Sequence, residues 1–142
     1  MRLILARGIP GSGKSTFIRR MFPGILHLEN DMFHMKNGLY SFDQRQQRSA
    51  VDWCMNTCLN ALTAGMDVAV SNTFTRKRFV QAYIDTANYT GADVIVYRLN
   101  GDFKNTHSVP VNVYESMKNG FEDWPGEIIV TPDGNTYSFS SS

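Results

Sequence analysis

Eight residues near the amino end constrain this chain more than any others: Gly8-Ile9-Pro10-Gly11-Ser12-Gly13-Lys14-Ser15. They match the pattern G-x-x-x-x-G-K-[ST]. They stand between an apolar run, Arg2 to Arg7 (RLILAR), and a helical stretch, Lys14 to Met21. Each residue type has a reason. Glycines let the backbone wrap a phosphate with its N–H groups turned inward. The helix that follows directs its partial positive charge at the same point. Lys14 can reach β- and γ-phosphates, and the Ser15 hydroxyl is placed to hold Mg²⁺. The pattern therefore specifies binding of a nucleoside triphosphate.

The rest of the chain alternates short apolar runs with helical patterns. Arg2 to Arg7 and Ile25 to Leu28 read as strands, and Lys14 to Met21 as a helix closed by Pro23-Gly24. Asn30 to Tyr40 is irregular, with a break at Gly38. Ser41 is a candidate cap for a long helix over Phe42 to Thr63, whose face Val51, Cys54, Cys58 and Leu62 has helical spacing. Asp67 to Ser71 is a third strand. Thr75 caps a helix to about Tyr89 with Phe79, Tyr83 and Ala87 on one side, and Gly91 closes it. Ala92 to Leu99 is a fourth strand. Pro110 starts a short helix that ends near Gly120. Ile128 to Phe139 is a hairpin turning at Pro132-Asp133-Gly134-Asn135, and residues 137–142, with the serine-rich end Ser138 to Ser142, read as a frayed tail. Strand–helix alternation implies an α/β fold: a mainly parallel sheet flanked by helices on both faces, with a C-terminal β-hairpin. Ligands in such sheets bind at the carboxyl ends of the strands.

Length and composition add limits. The 142 residues suit one domain, 1–142, and the apolar content is that of a globular chain. Net charge is only +1 and argues for no polyanionic partner. Its distribution leaves two readings: Arg2, Arg7, Lys14, Arg19 and Arg20 precede any acid, as a basic floor around a phosphate or as part of a mixed surface. Cys54 and Cys58 lie one helical turn apart and read as buried free thiols, which suggests a reducing compartment and no metal site. No run approaches the about 20 apolar residues of a membrane span, and the first residues do not read as a signal peptide. The expected location is cytoplasmic, or host-cytoplasmic if the chain is phage-encoded.

Further polar residues belong to the strand ends. Asp31 follows the second strand, where a carboxylate lies near the γ-phosphate and could take a proton from an attacking hydroxyl. The third strand ends in Ser71-Asn72-Thr73, with no acid where a motor ATPase or GTPase would place one. Asn72 and Thr73 are therefore candidates to orient substrate or metal-bound water. Arg76-Lys77-Arg78 opens a helix, where cations oppose the dipole, and is a candidate contact to substrate phosphates. Arg98, Lys104 and His107 precede Pro110 and could form a basic lid, with Lys104 the best candidate.

The motifs GIPGSGKST, END, SNT and KNTHSVP, in this order, resemble those of the polynucleotide 5′-hydroxyl kinase family, closest to small phage-type members. The resemblance covers roughly Met1 to Gly120. It implies a P-loop kinase-like fold and transfer of the γ-phosphate of ATP to the 5′-hydroxyl of DNA or RNA with Mg²⁺. Carried over by position, Gly8, Pro10, Gly11, Ser12, Gly13, Lys14, Ser15 and Thr16 would bind nucleotide, with Ser15 on the metal. Asp31 would be the general base, and Lys14 and Lys104 would act on the transferring phosphoryl group. His34 stands where the family has a substrate-binding Arg, and His34, Asn72, Thr73 and Arg76 would face the substrate. Lys104 replaces a lid arginine, and Asn72 replaces an acid. A kinase for a nucleoside, nucleotide or other small metabolite uses the same loop and base, and a non-catalytic NTP-binding regulator also fits these departures. Oligomeric state is not encoded in any motif.

Overall fold

Leu3, Ile4, Leu5 and Ala6 are fully buried, so the strand that carries them, β1 (Arg2–Arg7), must be covered on both faces. The computed structural model describes residues 1–36, 39–40, 43–103 and 109–141, with the side chains of 33–36, 39, 40 and 44 outside the description. After β1 come α1 (Lys14–Met21), β2 (Leu26–Leu28), and a two-residue hairpin of β3 (Met35–Lys36) and β4 (Leu39–Tyr40). Then follow α2 (Gln47–Thr63), β5 (Val68–Asn72), α3 (Lys77–Thr90), β6 (Asp93–Leu99) and α4 (Val111–Asn119). The chain closes with β7 (Ile128–Asp133) and β8 (Thr136–Ser141). The main sheet runs β2-β5-β1-β6-β7-β8. Every pairing in it is parallel except the last, β7 with β8.

Side chains of β1 alternate between two cores, as the pleat requires. Leu3 and Leu5 pack with Cys54, Cys58 and Leu62 of α2 and with Val80 and Tyr83 of α3. Ile4 and Ala6 face Phe17 and Ile18 of α1, with Leu99 and Val130. The expected parallel α/β sheet with helices on both faces is therefore the fold. Both thiols are free and buried, and burial raises the thiol pKa of each, that of Cys58 to about 12.

Several boundaries differ from the sequence expectation. The long helix begins at Gln47, not Phe42, after a 3-10 turn at Gln44–Gln46. The Asp43 carboxylate accepts the Arg45 N–H at 3.0 Å and turns the chain there; Ser41, the expected cap, lies outside the described residues. Val51 is exposed, and Ala50 and Ala61 join the buried stripe instead. Thr75 does not cap α3. Glu122, 45 residues away, accepts the Lys77 N–H at 2.8 Å, so the cap is a tertiary contact. On α3 Tyr83 and Ala87 are buried as expected, but Val80 completes the buried stripe and Phe79 is exposed. The expected frayed tail is strand β8, paired with β7 as far as Ser141 opposite Ile128. Tyr137 on β8 meets Phe17 edge-on at 5.1 Å between ring centroids, which anchors the strand.

The basic floor is not formed. Arg2 pairs with Asp67 at the opposite edge of the sheet, and Arg19 and Arg20 are exposed on α1. Arg7 is fully buried beneath the loop it precedes. Its guanidinium donates to Glu127 Oε1 at 2.7 Å, to the Phe74 carbonyl from both Nε and Nη2, and to the Glu122 carbonyl at 2.6 Å. The Phe121 ring lies 4.4 Å from it and 4.6 Å from the Arg98 guanidinium, so one ring carries two cations. Arg98 also pairs with Asp123 and Glu127. Arg98 is thus a structural residue of β6 and not part of a lid.

Removing one member of a buried pair leaves the other charge without compensation. Glu127→Ala is expected to destabilise the fold by about 3–5 kcal/mol, read as a lowered urea midpoint at unchanged slope. A midpoint within error of the wild type would show that the pair is not a determinant of stability.

Candidate functional site

The turn from β1 into α1 is built from backbone. Gly11 (φ 80°) and Gly13 (φ 97°) occupy the left-handed region that side chains with a Cβ disfavour. A Cβ at Gly8 would collide with the Ser12 side chain and the Leu99 carbonyl. The Gly8 N–H donates to the Thr73 carbonyl at 3.2 Å, which ties the loop to the end of β5. Ser12 is fully buried and its hydroxyl has no partner, a buried polar group within the loop. Gly13 sits at the N-cap of α1 with no side-chain cap, which leaves the first amides of the helix for an anion.

Lys14 folds back over the loop. Its Nζ donates to the Gly8 carbonyl at 2.9 Å and to the Ile9 carbonyl at 3.1 Å. Burial lowers its pKa to about 8, against the opposing pull of Glu29 and Asp31. Asp31 lies in the 3-10 turn Asn30–His34 that follows β2, half-buried and close enough for its charge to act on Lys14. The loop lysine and the candidate base are therefore brought together at the carboxyl edge of the sheet.

Glu29 is the residue that sequence reasoning missed. Its Oε1 accepts a hydrogen bond from the Ser15 hydroxyl and another from Ser71 Oγ at 3.0 Å. His27 Nε2 lies 2.6 Å from Ser71 Oγ and 3.2 Å from the same carboxylate oxygen. Burial lowers the His27 pKa, and Glu29 opposes that shift. The signal was present in the strand register. Leu28, the last residue of β2, pairs with Val70, so the residue that follows it falls beside Ser71 at the sheet's carboxyl edge.

The other expected site residues divide. The Asn72 amide exchanges two hydrogen bonds with Asn30, at 2.9 Å from the Asn30 N–H and 3.2 Å to its side chain, and so clamps β5 to the turn that carries Asp31. Thr73 contributes its carbonyl to Gly8. Phe74, next in the chain, has φ 48°, an uncommon conformation for a residue with a side chain, and Arg7 holds its carbonyl there. Arg76 is exposed and packs its guanidinium against Gly120, at the end of α4. The Thr16 hydroxyl accepts from Arg19 at 3.3 Å. The His34 side chain, Lys104 and His107 lie outside the described residues. Phe103, also unforeseen, donates its N–H to the Gly11 carbonyl at 2.8 Å and lays its half-exposed ring against Gly13.

The donors at Ser15 and Glu29 are hard oxygens and suit Mg²⁺. Among the described residues no group of three or more His, Cys, Asp and Glu could hold a metal. A cation here would take the rest of its ligands from phosphate and water, the usual arrangement for Mg²⁺ at nucleotide sites. Among the described residues no helix is long and apolar enough to cross a membrane.

The AAA domain family model AAA_33 matches residues 3–102. An uncharacterized protein of Pasteurella multocida (strain Pm70) is 30% identical over 149 residues, which is 92% of this chain and 83% of that protein. Among solved structures, a candidate kinase from Chloroflexus aurantiacus has a TM-score of 0.58 at 22% identity, over 69% of this chain and 57% of its own. A chain of the Pnkp1/Rnl/Hen1 RNA repair complex has a TM-score of 0.66 at 19% identity, over 84% of this chain and 43% of its own. The chain thus spans less than two thirds of these two structures, and the likeness is one of fold.

Lys14 yields a pH prediction. A bound triphosphate favours the protonated amine, so binding above pH 8 must take up a proton that the free protein has lost. Nucleotide affinity is expected to be level from pH 6.8 to about 7.5 and to fall as pH rises through about 8, a window above the phosphate's own titration near 6. Titration calorimetry across this range checks it, and Lys14→Met should bind more weakly with a flat profile. A flat wild-type profile would place the amine elsewhere in the bound state.

Proposed function

The chain belongs to this AAA domain family, and from that premise we propose that it is a P-loop phosphotransferase that passes the γ-phosphoryl group of ATP to the 5′-hydroxyl of a nucleic acid. The observation that carries the reading is that Asp31, in the turn after β2 at the carboxyl edge of the sheet, lies near enough to the loop lysine for its charge to act on it. A carboxylate there can accept the proton of an attacking hydroxyl while the loop amides and Lys14 hold the phosphates. Mg²⁺, held at Ser15, would neutralise charge that develops on the phosphoryl oxygens. The amino terminus of α1 adds a fixed dipole with no reorganisation during the reaction.

The acceptor class rests on different support. The order of END, SNT and KNTHSVP after the phosphate loop resembles that of polynucleotide 5′-hydroxyl kinases. The fold likeness to a chain of an RNA repair complex agrees in direction. In this reading His34, Thr73 and Arg76 contact the substrate strand, Asn72 holds the Asp31 turn in place, and Lys104 closes over the transferring group. Lysine offers a point charge where arginine offers a fork, so the lid contact is less directional than in the family.

Incubation with γ-labelled ATP, Mg²⁺ and a 5′-hydroxyl oligonucleotide is expected to label the oligonucleotide, and a 5′-phosphorylated control should stay unlabelled. Asp31→Ala should lower transfer at least about 100-fold while ATP affinity changes by less than about threefold. Label that appears only on nucleosides or sugars would replace the acceptor and keep the transferase. Normal transfer by Asp31→Ala would remove Asp31 as the base.

A further inference from the structure

A P-loop site usually orients its cation with an acid at a strand end beside the loop. Here β5, the strand next to β1, ends in Asn72, and that amide is engaged with Asn30. The carboxylate that does reach the Ser15 hydroxyl is Glu29, the residue immediately after β2, the neighbour of β5 in the sheet. One oxygen, Oε1, meets three side chains: Ser15, Ser71 and His27.

We propose that Glu29 takes over the role of the missing strand-end acid, and that with Ser15 it binds and orients the Mg²⁺ of the bound nucleotide. This rests on the reading that residues 8–15 hold a nucleoside triphosphate. Three features of the chain support it. Glu29 and Ser15 converge on one point at the first turn of α1, where β- and γ-phosphates would lie. The Ser15 hydroxyl donates to the Glu29 oxygen, and a hard cation can take the place of that proton between the two hard donors. Ser71 and His27 then act as positioning residues. Their contacts hold the same carboxylate oxygen that Ser15 meets, as outer-shell partners of metal ligands commonly do. Moving the acid from β5 to β2 also frees the end of β5. Asn72 can then serve as a neutral clamp on the Asp31 turn, where an aspartate would set a like charge beside the base.

The opposing interpretation is that Glu29 merely fastens α1 to β2. Glu29→Gln separates the two, because its amide oxygen still accepts from Ser15 and Ser71 and only the charge is lost. The measurement is Mn²⁺ affinity of the protein bound to a non-hydrolysable ATP analogue, read by electron paramagnetic resonance of free Mn²⁺. Nucleotide affinity in EDTA is measured alongside. Glu29→Gln is expected to weaken Mn²⁺ binding at least about tenfold while metal-free nucleotide affinity is kept or improved. Asn72→Asp in that background, which returns an acid to β5, should recover part of the loss. Glu29→Asp keeps the charge and should fall between wild type and Glu29→Gln, and it serves if the glutamine variant does not fold. Mn²⁺ affinity within about twofold of wild type in Glu29→Gln, or in Glu29→Asp if that variant must stand alone, would overturn the proposal and leave a structural hydrogen bond. Absence of nucleotide binding by the wild type, with or without metal, would instead remove the phosphate-site reading, and this assignment with it.

Discussion

The buried guanidinium of Arg7 is the constraint on which the functional edge of the sheet depends. It stands at the last position of β1, one residue before the phosphate loop, with no access to water. A charge in that position must be matched from every side, and the chain supplies the match from distant segments. Glu127 provides the counter-charge, Phe74 and Glu122 provide carbonyls, and Phe121 covers the planar face. Each partner is a segment that must be delivered to the loop: the exit of β5, the stretch after α4, and the approach to β7. The geometry of the site follows from satisfying one cation.

The phosphate loop itself is poised against its own charges. Lys14 is held by loop carbonyls, and two carboxylates, Glu29 and Asp31, supply part of its electrostatic support. A triphosphate would bring the opposite balance: the amine would turn to phosphate, and the carboxylates would require a cation or a proton in exchange. Metal and nucleotide are therefore expected to bind as a unit, each making the other's site less costly to fill.

The amino-terminal half of this organisation was legible in the sequence because its signals are local. Arg2 to Arg7 is an unbroken apolar strand, and Gly8 to Ser15 is a pattern whose every position has a backbone reason. The parallel strands β1, β2, β5 and β6 came within a residue of their observed limits for the same cause, whereas the short β3–β4 pair, in a stretch expected to be irregular, and the end of β8 did not. What failed was tertiary in origin. Thr75 looks like a helix cap, but Glu122 supplies it from 45 residues away. Arg98 looks like a free cation near a lid, but Asp123, Glu127 and the Phe121 ring claim it. The serine-rich end looks unstructured by composition, yet Tyr137 seats it against Phe17 and β7 supplies its backbone partners. Glu29 was passed over because its importance lies in register, Leu28 against Val70, which no short pattern encodes.

The connection from β6 to β7 has an uneven anchorage. Helix α4 within it buries no side chain. Its two flanks are secured: the Phe103 N–H on the Gly11 carbonyl before it, and Phe121 with Glu122 in the Arg7 cluster after it. Stability therefore resides in the footings and not in the span. Because closing a longer loop costs little more than closing a shorter one, the span can vary in length and composition over evolution without disturbing the sheet. Helix α4 is thus a part of this fold whose surface can be rewritten while the sheet and the phosphate loop beneath it are kept.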